Sequence, residues 1–568
     1  MNDIRQLANR LRALDGQGYR ALKSIRGAYD AGTFQLIIDH VQGDPFADPS
    51  RVRAIVPPAT ARLPEWAIRS RTRRIAAADF LNRVFADALE TESKRLGTGH
   101  SGELSILRPG QQVLERSSLT VHADGRVEAR FRAGLPADGR RILGHAAAEL
   151  LTVRVPAAVA RALRFEAIDP DALRRHVETV EDARALRAAL EENGLVAFIA
   201  DGAYLPRRSG VDDRPLPFDK AVPFRSPDSL RVTLRAPNAG EITGIGVPRG
   251  VTLIVGGGFH GKSTVLRALE RGVYDHIPGD GRERVVTVET AVKVRAEEGR
   301  SIAGTDVSNF IGALPGGDDS RRLRTPNASG STSQAAAMIE AMEVGATCLL
   351  LDEDSSATNL LIRDARMQAL VPADLEPITP LIDHARSLYD EQGVSTILVL
   401  GGSGDYFDVA TTVIALHAYV PEEVTDRARR IAAEMPTRRQ PSTRPWGSIA
   451  PRVPLTQPLD PRRGRRDVHI KVLARDRVQY GSEEVDLRAV EQLVERAQSR
   501  AVAEAVAWAW HNAVDGRRTL PEVLHYVMDA IRERGLDAVH PEPIGELAAF
   551  RIFELAAFVN RIRSLRVR

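Results

Sequence analysis

The chain has 568 residues, enough for roughly three or four domains. Apolar residues make up 43% and charged residues 27%, a globular balance that excludes a disordered or span-rich chain. With 78 Lys and Arg against 75 Asp and Glu the net charge is +3, so any nucleic-acid binding must come from local basic patches.

Residues 1–30 read as a charged amphipathic helix with Ile4, Leu7, Leu11 and Leu14 in period. This start lacks the apolar run of a signal peptide, and no window approaches the roughly 18–20 apolar residues of a membrane span. A single cysteine, Cys348, allows no intrachain disulfide. We therefore expect a cytoplasmic protein without a membrane partner. Residues 34–41 read as a strand and Gly43-Asp44-Pro45-Phe46 as a turn. Asp39, Asp44 and Asp48 are candidate ligands, although such residues more often cap turns.

Residues 63–94 read as a helix in which Arg69, Arg71, Arg73 and Arg74 lie close together. Residues 107–114 and 119–131 read as hairpin strands around Asp124-Gly125, 147–193 as helix and 195–199 as a strand. The arginine clusters either contact phosphates or form solvated helix faces. Residues 230–234 form a further strand. Phe224 is the aromatic nearest to it, either an adenine contact or a core residue.

Residues 251–255 are a short apolar strand, followed by Gly256, Gly257, Gly258, Phe259, His260, Gly261, Lys262, Ser263 and Thr264. Gly256-x4-Gly261-Lys262-Ser263 fits the P-loop spacing, and the helix periodicity that follows supplies its required context. Glycines let successive backbone N–H groups converge on phosphate oxygens, and the helix start adds its own free N–H groups. Lys262 is then expected to reach the β- and γ-phosphates of ATP, and the Ser263 hydroxyl to ligate Mg²⁺.

Residues 285–288 and 292–294 read as strands, and the loop 306–314 leads past Gly316 and Gly317 into a turn-rich stretch. Ser329-Gly330-Ser331-Thr332-Ser333 opens a strong helix, a second place where a phosphate could sit. Next, an apolar strand ends in Asp352 and Glu353, the Walker B pattern. Asp352 would hold Mg²⁺ and Glu353 would act as general base on the attacking water. The polar loop 355–359 suits subunit contacts. Residues 395–400 form a buried strand ending at Gly401-Gly402-Ser403-Gly404-Asp405, where Ser403 or Asp405 could sense the γ-phosphate. A last strand is expected at 412–416. Residues 437–466 are rich in Arg and Pro and read as a linker or mobile loop able to track a phosphate backbone. Helices are expected over 487–513, 520–534 and 544–562.

The strings GGGFHGKST, HIPGDGRE, ASGSTSQAA, LLLDEDSSATN and LVLGGSGDYFDVA resemble the family of predicted ABC-class ATPases, and the likeness extends over nearly the whole chain. It implies an α/β fold with a P-loop ABC-type core at 224–436. An N-terminal α+β domain (1–223) would precede the core; a basic linker (437–466) and a mostly helical C-terminal domain (467–568) would follow. It also implies a homodimer without transmembrane partners, in which ATP and Mg lie between the P-loop of one copy and Ser329-Gly330-Ser331 of the other. RNA or DNA is the implied partner, with RNA favoured. Three features depart from the common ABC pattern. The signature reads ASGST with Gln334 displaced, Gly401-Gly402-Ser403 stands where a switch histidine is usual, and no clear Q-loop glutamine precedes Asn327; Asp306 or Asn309 could substitute. Slow hydrolysis is therefore expected, with a nucleotide-gated binding module as the alternative. A transporter subunit is disfavoured by the absence of a hydrophobic coupling stretch.

Overall fold

The computed structural model describes residues 2–312, 317, 319–372, 374–442, 446–462 and 468–568. The end of the 306–314 loop, Gly316, and residues 443–445 and 463–467 of the basic segment and its boundary lie outside the described residues. The fold is α/β with a P-loop core, as the sequence leads one to expect. The chain forms two compact units, Met1–Glu181 with His540–Ala549, and Asp182–Val539 with Phe550–Arg568.

The first unit is built on an antiparallel sheet in which Gln35–His40, Ser50–Val56 and Val127–Ala133 are successive neighbours. Alternation along Ser50–Val56 buries Val52, Ala54 and Val56 on one face. Helix Arg71–Glu92 supplies core residues such as Phe85, whose ring meets Phe131 edge-on at 5.6 Å. The expected Asp124-Gly125 hairpin joins Leu119–Val121 to Val127–Ala133. Two of the three upstream aspartates are engaged locally, while Asp48 is exposed. Asp44 caps its own turn through the N–H of Phe46, and Asp39 takes a two-pronged bond from Arg53. The arginines after Ile68 are likewise engaged, Arg71 with Glu115 and the buried Arg73 with Glu181.

The helix expected over 147–193 is broken. A π-turn occupies Leu150–Arg154 between Gly144–Glu149 and Val155–Ala162, and a new helix starts at Pro170. The chain stays helical through Pro156 to Ala162, and Asp169 accepts the N–H groups of Asp171 and Ala172 to begin the next helix.

The second unit contains a four-stranded antiparallel sheet in the order Arg231–Ala236, Gly240–Pro248, Leu195–Ala200 and Val285–Thr287. Leu186, Leu190, Phe198 and Leu234 form its core cluster. Beside it lies the nucleotide-type sheet, whose elements we number in chain order: β1 (Val251–Val255), α1 (Lys262–Arg271), β2 (Ala291–Lys293), α2 (Gly330–Glu343), β3 (Cys348–Asp352), β4 (Ser395–Val399), β5 (Thr412–His417) and β6 (Val420–Glu423). The strand order is β2-β3-β4-β1-β5-β6, parallel except for β6. Strands this deeply buried are mostly apolar along both faces rather than alternating, which is how β1, β3 and β4 read. The C-terminal part opens with a three-stranded meander over 470–486 before helices Arg496–Asn512, Leu520–Arg534 and Ile552–Val559.

Described residues of the basic segment are anchored in this unit. Trp446 packs between Phe310 and His384, with ring centroids 5.3 Å from each. Arg452 is buried, bonding the Glu343 carboxylate at 2.6 Å as well as Asn560 and Thr305. Arg452→Ala should cost about 3–5 kcal/mol in chemical denaturation, because it strands a buried carboxylate. The double variant Arg452→Met with Glu343→Met should recover most of that loss. An unchanged midpoint in the single variant would contradict the anchoring.

Candidate functional site

The site lies at the carboxyl ends of the parallel strands. Ile254 of β1 and Asp352 of β3 both pair with Val399 of β4, so one row crosses the three strands. The P-loop, the Walker B acids and the loop after β4 must therefore leave the sheet at the same edge.

The P-loop is held by close backbone approaches. Gly256 has φ +140, and a Cβ there would collide with the Leu416 carbonyl. Gly261, at φ +99, caps α1. Phe259 adopts φ +63, a left-handed conformation that costs a non-glycine residue roughly 1–2 kcal/mol, and its side chain is 100% exposed. His260 Nδ1 accepts the N–H of Ala418 at 2.7 Å. Lys262 Nζ donates to the carbonyls of Gly256 and Gly257, both at 2.8 Å, folding back over the loop meant for phosphate. Ser263 and Thr264 follow in the first turn of α1.

Glu353 leaves β3 half-buried. Its Oε2 accepts the N–H groups of Gly401 and Gly402 at 2.5 and 3.0 Å. A Cβ on Gly401 would lie 3.7 Å from that carboxylate and 3.9 Å from Lys262 Nζ. The Lys262 ammonium and the Glu353 carboxylate thus both lie within 4 Å of the place a Cβ on Gly401 would take. The loop after β4 reaches the site through backbone N–H groups, and Ser403 follows them directly. Among the hydrogen bonds described for its carboxylate, Asp352 accepts only a long one from the Asp354 N–H at 3.4 Å.

Sequence reasoning missed Lys293, at the end of β2 beside β3. Burial holds its ammonium below the ordinary lysine range, while Glu491, Asp352 and Glu270 pull the other way. Its sequence signal is one lysine closing an apolar strand. Asp306 and Asn309, expected as substitutes for a Q-loop glutamine, are committed elsewhere. Asp306 caps Ser308, and Asn309 accepts bonds from His384 and Gly447. The strand adjoining β3 is β2, so the 306–309 loop does not lead out of it. Phe224, weighed as an adenine contact, is 5% exposed and belongs to the core.

The serine-glycine helix start forms a second anion-ready end. Ser329 caps α2 through the N–H of Thr332, and the N–H of Gly330 donates to the Glu298 carboxylate at 2.9 Å. The Ser331 hydroxyl donates to Asn359 Oδ1. Gln334, which the sequence suggested was a displaced signature residue, is fully buried and bolts α2 to the 355–359 loop, donating to Ser356 and accepting from Ala357. The bonds described for Ser329–Ser331 run to α2 itself, to Glu298 and to Asn359, not to the P-loop.

A phosphate-type loop, two acids at the end of a parallel strand one removed from it and a capped serine-glycine helix define a P-loop ATPase of the ABC class. Family models agree. The P-loop domain of the ABC ATPases matches residues 169–452, the N-terminal region of ATPases of the ABC class matches 4–166, and the MRB1590 C-terminal domain matches 469–568. The chain belongs to the ABC-class ATPase family. The uncharacterized protein MJ1628 of Methanocaldococcus jannaschii is 31% identical over 199 residues, a match that takes in 34% of this chain and 44% of that protein. Two solved structures are similar over 43% of this chain and 96% of their own. One is the ADP conformation of MJ1267, an ATP-binding cassette of an ABC transporter, at 10% identity and TM-score 0.25. The other is cbiO1 from Clostridium perfringens, part of the transporter complex cbiONQ, at 13% identity and TM-score 0.24. No described helix is long and apolar enough to cross a membrane.

Gly256→Ala is expected to destabilise the second unit by about 2 kcal/mol or more in chemical denaturation, since it combines a left-handed φ with a backbone collision. Phe259→Gly, which removes strain, should leave the midpoint unchanged or raise it. A harmless Gly256→Ala would mean that the loop does not need this approach.

Proposed function

We propose that this chain is a cytoplasmic ATPase that hydrolyses MgATP slowly at the interface of a homodimer and couples the reaction to nucleic-acid binding, RNA first. The observation that carries the reading is that Lys262 of the P-loop and Glu353 of the acidic strand end both approach Gly401 of the loop after β4. Lys262 exchanges the carbonyls of Gly256 and Gly257 for β- and γ-phosphate oxygens, while the P-loop N–H groups and the start of α1 take the remaining phosphate charge. Ser263 and Asp352 hold Mg²⁺, which offsets the negative charge of the phosphates. Glu353, oriented by two N–H groups, aligns a water and takes its proton as the water oxygen bonds to the γ-phosphorus and the bond to the β–γ bridging oxygen breaks. Ser403 is suited to sense the γ-phosphate from the same loop. Ser329, Gly330 and Ser331 of one copy close over the ATP of the other.

Nucleic-acid coupling is supported by the family resemblance and by an arginine and aromatic surface in the C-terminal part. Trp508 stacks on Tyr526 at 5.7 Å, with Arg518 and Arg534 over those rings and Arg462 over Trp510. Rings of this kind accept unpaired bases, and guanidinium groups accept phosphates.

The test is phosphate release from MgATP at fixed low salt, with and without a panel of RNA and DNA. Glu353→Gln should lower kcat by about 10²–10⁴-fold while ATP binding stays within a few-fold of the wild type. Unchanged turnover would remove Glu353 from the catalytic role. One observation favours a second reading, a nucleotide-gated module with little hydrolysis: the loop after β4 gives Glu353 only backbone N–H groups, without a switch histidine. ATP binding without phosphate release on any nucleic acid would support that reading.

A further inference from the structure

For the nucleotide base the sequence offered only Phe224, weighed against a core role, and Phe224 is buried. The sheet order supplies a direction. β1 lies between β4, whose loop holds Glu353, and β5. If the γ-phosphate reacts on the β4 side, the rest of the nucleotide extends toward the end of β5.

A two-residue hairpin stands there. His417 pairs with Val420, and between them Ala418 and Tyr419 have φ +46 and +70. Such turns usually carry Asn or Gly, because side chains resist positive φ. Here the P-loop holds the turn in place. His260 Nδ1 accepts the Ala418 N–H at 2.7 Å, the His260 carbonyl accepts the Tyr419 N–H at 3.2 Å, and the His260 ring stacks on His417 at 5.1 Å. The Tyr419 ring lies against the loop, so that a Cβ on Gly261 would sit 2.8 Å from it, yet the residue is 50% exposed. A large ring kept half in solvent, on a strained turn bonded to a phosphate loop, provides a free aromatic face beside the triphosphate.

We infer that Tyr419 is the stacking platform for the purine base of the bound nucleotide. The inference rests on the ATP-site reading above and adds the determinant that separates a nucleotide from bare triphosphate.

The test measures equilibrium binding of MgATP and of magnesium tripolyphosphate to the full chain. The wild type is compared with Tyr419→Ala, Tyr419→Phe and Lys262→Ala. Tyr419→Ala should weaken ATP binding by about ten- to a hundredfold, the range expected for loss of one base–aromatic stack. It should leave tripolyphosphate within twofold, which also reports that the loop is intact, and Tyr419→Phe should bind ATP as the wild type does. Equal loss of both ligands would make Tyr419 a support of the loop and overturn the inference. So would unchanged ATP binding in Tyr419→Ala while Lys262→Ala loses it. A wild type that binds neither ligand, or a Lys262→Ala variant that binds both normally, would instead overturn the ATP-site reading and this inference with it.

Discussion

The level ending of three parallel strands is the constraint on which the site depends. Because Ile254, Val399 and Asp352 share one row, the glycine loop, the loop after β4 and the Walker B acids leave the sheet together. Register in a sheet with both faces covered is fixed by the buried apolar residues, so a one-residue slip would turn β3 or β4 inside out. The geometry of the site is therefore set by the core, by buried residues such as Leu350, Ile397 and Leu253. The approach of Gly256 to the Leu416 carbonyl adds the last restraint, since no larger residue lets the loop begin that close to β5.

Both anion-accepting ends are satisfied within the chain. Lys262 rests on two P-loop carbonyls, and the start of α2 holds the Glu298 carboxylate. Polar groups of this kind seldom go without partners, so nucleotide binding becomes an exchange of hydrogen bonds in which each swap is worth about 1 kcal/mol net. The charge-assisted contacts of a triphosphate are stronger than a lysine–carbonyl bond, which gives the exchange its direction. In the proposed dimer, closure of a second copy would have to draw Glu298 away from Gly330. Slow turnover would then follow from this barrier as well as from the missing switch histidine.

Local signals were legible in the sequence, and pairwise ones were not. The P-loop could be read because its glycines, Lys262 and Ser263 act at fixed short spacing on one ligand group. Asp352 and Glu353 followed from an apolar run with an abrupt acidic end. The family strings extended that reading to the α/β architecture. Lys293 and Glu298 escaped, and Gln334 was noticed without its role, because each acts on a partner brought near by register or packing: the β2–β3 pairing, the start of α2 and the 355–359 loop. The helical reading of 147–193 did not place the break at 163–169, which Pro170 and the capping Asp169 mark. Phe224 drew attention by lying near the right strand, while Tyr419 lies some 160 residues after the P-loop in the sequence and reaches it only through the hairpin bonded to His260.

The most direct test of the composite ATP site is a mixing experiment. Lys262→Ala disables a P-loop, and Ser331→Arg disables a serine-glycine helix start. Each variant alone should release no phosphate above background. Mixed in equal amounts and allowed to exchange, they form heterodimers with one intact site, and by random pairing the mixture should recover roughly a quarter of wild-type activity. A mixture as inactive as its components would contradict a site shared between two copies.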